Sequence, residues 1–359
     1  MSRPMIASVA RQLLFQASQR LGTADPNPDV RGYLDESLGI PVGEPAAEGS
    51  RLLEPSFSET APDSLAFTVG GHPRLSPADR IALSTQAISN IVGSRFGKSA
   101  ERWLDQHTEL PRSSASNGSA TWGASFSGAF DRNGASEAAV HYEWGPLLMD
   151  SLPAPLYRIA RAALEMIPGL RPALSSIRCG RTSGSQQITF EIERPLPLAN
   201  LQPLMERLGL GAQHASLMSC VAFILGARFT LPPETAMLTL RPARQGVELR
   251  LDVNLEALPD PPAQLMALTR LQMTERPRSL QGLDRWMVAL TPDGYPGPGN
   301  VSVLSVWVRP DMPARVALYL NPAALHASET APQVREPASA RAPQPAAAEA
   351  SWAASAWAP

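Results

Sequence analysis

Apolar and polar residues alternate with a period of two in several stretches of the chain, as in strands with one buried face. Ile188, Phe190 and Ile192 point one way and Gln187, Thr189, Glu191 and Glu193 the other. Val247, Leu249, Leu251 and Val253 oppose Glu248, Arg250, Asp252 and Asn254. Leu238 and Leu240 oppose Thr239 and Arg241, and Val316, Leu318 and Leu320 oppose Arg315, Ala317, Tyr319 and Asn321. Strand pairs begin near Glu54, Ala120, Ser175, Ala236 and Val301, each preceded by a helix-like stretch, so the unit recurs about every 60 residues.

The pairs read as 54–58 with 65–69, 121–129 with 137–144, 175–181 with 187–193, 235–241 with 247–255, and 301–309 with 314–320. Asp131-Arg132-Asn133-Gly134 is a hairpin signal. Helices are expected over 5–21, 77–92, 153–167, 198–208 with apolar continuation to 225, and 262–273, with 283–290 and 100–107 as extensions. Ser76 before Pro77 reads as an N-cap. Residues 26–47, rich in Pro and Gly, and 110–120, rich in Ser, Asn and Gly, read as loops. The chain after Asn321 is rich in Ala, Pro, Ser and Glu and reads as a disordered tail, 322–359, ending in a segment with Trp352 and Trp357.

Five helix–strand–strand units supply ten strands. The fold class expected is α+β: a ten-stranded antiparallel β-barrel surrounded by helices, one unit over residues 1–321. Closure removes the sheet edges and turns the polar faces toward a shared lumen. The alternative is an open sheet whose polar face is simply solvated.

Composition narrows the function. The formal charge of −2 argues against a general nucleic-acid binder or anionic-membrane binder. No apolar stretch reaches the length of a membrane span, and the N-terminal helix has no uninterrupted apolar signal region, so a cytoplasmic protein is expected. Of 31 basic residues only Lys98 is a lysine, which excludes a phosphate loop needing a lysine after its glycines. Anion binding must rest on arginine, which holds phosphates bidentately. Cys179 and Cys220 make neither a disulfide framework nor a zinc site, and the five histidines show no ligand spacing.

Leu53-Glu54-Pro55-Ser56-Phe57, followed by a second strand, resembles the Glu-x-Ser opening of the indole branch of the αββα (ABBA) aromatic prenyltransferases. The segment from Ser302 to Pro310, followed by 315–320, is similar to the closing hairpin of that barrel family. The resemblance implies an isoprenoid transferred from an allylic diphosphate, dimethylallyl or geranyl, to an indole-like aromatic or a peptide acceptor. It places Glu54 as the acid/base carboxylate, and Arg178, Arg241, Arg250, Arg309, Arg315 and Tyr319 around the diphosphate. Trp122 and Trp307 become shields for the allyl cation. No cofactor is required, Mg²⁺ being an optional companion of the diphosphate, and no residue is assigned to a metal. The sequence departs from the family in one respect: where a basic residue and a tyrosine usually share a strand face, it has Arg250-Leu251-Asp252 and Ala317-Leu318-Tyr319. An aspartate there repels a diphosphate. The alternative function is a non-catalytic barrel or open sheet that binds a small molecule or partner protein. An enzyme should show free inward arginines near Glu54; a binding barrel should show each paired to a carboxylate.

Overall fold

The computed structural model describes residues 4–42, 52–72, 74–117, 120–146 and 148–325. The start of the expected tail is ordered, Pro322 ending the last strand and Ala323–Leu325 forming a short 3-10 turn that buries Leu325; the tail from residue 326 lies outside the described residues. Ten strands form one closed antiparallel barrel: β1 Leu53–Ser58, β2 Leu65–Val69, β3 Ala124–Asp131, β4 Gly134–Glu143 and β5 Leu170–Gly180. The remaining five are β6 Gly184–Ile192, β7 Ala236–Ala243, β8 Gly246–Asn254, β9 Gly299–Arg309 and β10 Met312–Pro322. Each strand pairs with its neighbours in sequence, and β10 returns to β1, where Ser56 faces Tyr319 and Phe57 faces Leu318.

Two helices precede the first strand pair and the others lie between successive pairs. They are α1 Ile6–Leu21, α2 Asn27–Ser37, α3 Pro77–Ile91, α4 Lys98–Asn117 and α5 Ala154–Met166. Four more follow: α6 Gln202–Arg207, α7 His214–Ile224, α8 Leu265–Gln272 and α9 Pro277–Ala289. Ser76 caps α3, its hydroxyl accepting the Asp79 N–H at 3.1 Å. The apolar strand faces point outward into the layer between barrel and helices. Phe67 stacks on Phe130 with centroids 6.0 Å apart, and Phe57 meets Trp286 at the same spacing. Each such buried ring contributes about 1.5–3 kcal/mol by leaving water.

Two expected loops are helical. In 26–47 the Pro/Gly content masks α2, which starts on Asn27-Pro28-Asp29 and buries Val30, Tyr33 and Leu34 at helical spacing. Tyr33 is anchored there, its hydroxyl donating to the Val69 carbonyl at 3.3 Å, and burial pushes that hydroxyl up to about 12. In 110–120 α4 continues through Pro111 to Asn117, because Leu104, Thr108, Pro111 and Ala115 keep one buried stripe. Among the described residues no helix is long and apolar enough to cross a membrane.

Candidate active site in the barrel lumen

Strand parity decides what faces the lumen. Glu54, Ser56, Thr68, Ser127, His141, Arg178, Thr189, Arg250, Asp252 and Tyr319 all point inward and line one cavity of about 600 Å³. The five hairpin turns gather at the opposite end of the barrel. The mouth is marked by exposed Arg171, Glu193, Glu234 and Met237.

Glu54 opens β1 and is 7% exposed on the cavity wall. The Ser302 hydroxyl donates to its Oε1 at 2.7 Å and so fixes the carboxylate's orientation. Pairing of β1 with β2 sets Glu54 opposite Thr68, and pairing with β10 brings Tyr319 beside Ser56. Burial raises the Tyr319 hydroxyl above its ordinary value, with Arg250 pulling it back.

The three arginines that line the cavity are all paired. Arg250 holds Asp252 on its own strand at 2.9 Å, and Arg178 meets Glu137 across the β4–β5 ladder. Arg171 spans Glu191 and Glu193. Burial alone would make Arg178 and Arg250 easier to deprotonate, but Glu137 and Asp252 more than offset it and raise both. Six carboxylates line the cavity (Glu54, Glu137, Glu191, Glu193, Glu234 and Asp252) against these three arginines, a formal excess of three negative charges. Arg178 Nε and Asp252 Oδ1 are buried without a hydrogen-bond partner, so both ends of the charge set retain capacity for a ligand.

His141 sits between two hydroxyls on the cavity wall. Its Nε2 is 2.9 Å from Ser127 Oγ and its Nδ1 2.8 Å from Ser176 Oγ. Burial pushes its basicity down to about 3, with Arg178 and then Arg250 adding to the effect. The imidazole is therefore neutral at physiological pH. Further round the barrel Thr189 on β6 and Thr239 on β7 join hydroxyls at 2.8 Å.

The structure brings Glu54, Arg178, Arg250 and Tyr319 together and leaves the other expected residues outside the cavity. Arg241, Arg315 and Trp307 share the inward parity but do not line the cavity. Arg241 is held by Glu248 at 2.7 Å. Arg315 donates to the Ala314 carbonyl at 3.1 Å, and Trp307 lies between Arg250 and Arg315 in register. Arg309 stands at the final turn, over the Trp307 ring at 5.4 Å and beside Asp311 at 3.5 Å. Trp122 is on the loop before β3, which Glu143 holds by accepting three backbone N–H groups. His141, Glu137 and Arg171 were not among the expected residues. The signal for the first two is parity: Glu137, Ala139, His141 and Glu143 alternate along β4, and all face inward. Among the described residues no group of three or more His, Cys, Asp or Glu is arranged to hold a metal ion.

The architecture matches solved enzymes. The 6-dimethylallyltryptophan synthase from Micromonospora olivasterospora, solved with DMASPP and Trp, aligns over 90% of this chain and 98% of its own, with TM-score 0.70 and 15% identity. The 5-dimethylallyltryptophan synthase from Streptomyces coelicolor aligns over 91% and 100%, with TM-score 0.67 and 15% identity. The prenyltransferase PriB, solved with product diphosphate, aligns over 90% and 97%, with TM-score 0.66 and 15% identity. No family model and no curated protein sequence matches the chain. The likeness establishes the fold: this is the αββα barrel of the aromatic prenyltransferases.

Proposed function

We propose that the protein transfers an isoprenoid from an allylic diphosphate to an aromatic acceptor, indole-like or on a peptide, within the lumen. The observation that carries this is the meeting of Glu54, Arg178, Arg250 and Tyr319 on one cavity of that barrel. The C1–O bond of the donor breaks and diphosphate leaves toward the arginines and the tyrosine hydroxyl. The allyl cation bonds to an electron-rich ring carbon, and the proton displaced from the acceptor goes to Glu54. Arg178 and Arg250 serve this role by exchanging their carboxylate partners for phosphate oxygens. No residue set among those described is assigned to Mg²⁺, and the donor is bound by side chains.

The paired state of all three cavity arginines favours a second reading, a barrel that binds a small molecule without chemistry. One experiment separates them. The protein is incubated with dimethylallyl or geranyl diphosphate and a panel of tryptophan, indoles, phenols and peptides, and products are read by mass. Gain of one prenyl group on an acceptor supports transfer. No gain with any acceptor, together with no rise in Tm from either donor, supports the binding barrel.

A further inference from the structure

We propose that His141 takes up a proton as the diphosphate enters and becomes a cation beside it, held by its two serine hydroxyls and adding positive charge to that of the arginines. This rests on the prenyl-transfer reading and deepens it, since it adds a binding residue for the donor.

Three observations converge on this residue. First, the cavity wall carries an excess of carboxylates, so a diphosphate arriving there needs compensating charge. A proton is the smallest cation available, and among the described residues His141 is the only imidazole on that wall. Second, the two partners of His141 suit both protonation states. A serine hydroxyl donates or accepts equally well. In the neutral ring one serine donates to the bare nitrogen and the other accepts from the N–H. In the charged ring both Ser127 and Ser176 accept, with distances of 2.9 and 2.8 Å already in place. One hydroxyl rotates and no heavy atom needs to move. Third, the groups that keep the ring neutral are those the diphosphate engages. Arg178 and Arg250 both act against the imidazolium. Phosphate oxygens on those arginines reverse the sign of the local field. Glu137 on β4, Asp252 on β8, Glu54 on β1 and Tyr319 on β10 line the same cavity, and the carboxylates among them favour a charged ring.

The carboxylates are also rival sites for the proton, because Glu137 and Asp252 give up their arginines to the ligand. The test must therefore distinguish them from His141. Binding of inorganic diphosphate and of dimethylallyl thiolodiphosphate is followed by calorimetry in two buffers of different ionisation enthalpy, between pH 6 and 8. Wild type and His141→Gln are compared; the amide keeps a donor and an acceptor for the two serines and cannot charge. Subtracting the variant cancels protons taken up by the ligand or by carboxylates. The expected difference is roughly one proton per ligand, with affinity rising about tenfold more per unit fall in pH for the wild type. Imidazole NMR of the wild type gives a second reading that does not depend on the variant folding. The His141 ring should pass from the neutral to the imidazolium pattern on saturation with either probe. Equal proton uptake by both proteins, or a neutral ring in the bound state, overturns the proposal while leaving prenyl transfer intact. Failure of both probes to bind overturns both.

Discussion

At the scale of single residues, the ends of the strands are set by carboxylates as much as by apolar contacts. Glu143 accepts the N–H groups of Thr121, Trp122 and Gly123, and the Thr121 hydroxyl, at 2.8–3.0 Å. Burial pushes its carboxyl up, but these donors more than offset it and hold the group below its ordinary value. A depressed carboxyl stabilises the fold above the unfolded value and loses that contribution as pH falls through the folded one. Glu143→Gln should cost about 1–3 kcal/mol at pH 7 and less at acid pH, measured by urea unfolding across the pH range. Glu54→Gln tests the chemistry: turnover of dimethylallyl diphosphate should fall by roughly 100-fold or more while thiolodiphosphate binding changes little. Equal loss of both would make Glu54 a structural carboxylate. Much of the site was legible at this scale, because parity along a strand names the face. Parity does not name which stretch of the inner wall stays open. Arg241, Arg315 and Trp307 have the right face but lie off the cavity, Arg241 tied to Glu248, whereas Trp122 precedes its strand and has no parity to read. His141 and Glu137 had the parity, but the small residues around them made their strand look weakly amphipathic.

At the scale of elements, α9 is tied to the β1–β2 loop by close approach and by charge. A Cβ added to Gly282 would stand 2.5 Å from Pro62 Cβ and 3.0 Å from its carbonyl oxygen. Asp63, next in the loop, receives Arg278 at 2.9 Å and also Arg285. Alanine is the better helix former by about 1 kcal/mol, yet Gly282→Ala should lower stability by about 1–3 kcal/mol because backbone must shift. A rise in Tm for that variant would show that the loop yields freely. The helices were harder to read than the strands for a related reason. Composition made Asn27–Ser37 look like a loop, and the Ser, Asn and Gly of 110–120 made the second half of α4 look like a turn. In both, buried residues at three- and four-residue spacing outweigh the breakers, and that packing is a tertiary property.

At the scale of the whole molecule, the barrel closes through a contact between its first and last strands. Ser56, Phe57 and Ser58 pair with Tyr319, Leu318 and Ala317, over 250 residues away in the chain. Joining segments so distant carries a loop-closure cost, and opening the seam exposes two unpaired edges. Leu318→Pro removes a ladder donor and locks the backbone at that seam. The variant should fail to give a folded monomer, read by size-exclusion chromatography and circular dichroism; a native-like monomer would mean that the other nine pairings suffice. The tenfold strand count and the alternation foretold a closed wall, since five polar faces with helices on the other side leave few ways to hide ten edges. They could not foretell that Arg178 on β5 would meet Glu137 on β4, because that depends on register across strands from different repeats.

The arginines of the lumen already hold counter-ions of their own. An anion entering the chamber therefore competes with resident side chains rather than filling an empty cradle. A single carboxylate offers nothing better than Glu137 or Asp252 and should be turned away. Only a compact species carrying several negative charges can outbid two tethered rivals at once, so the chamber selects by charge density before shape is ever consulted.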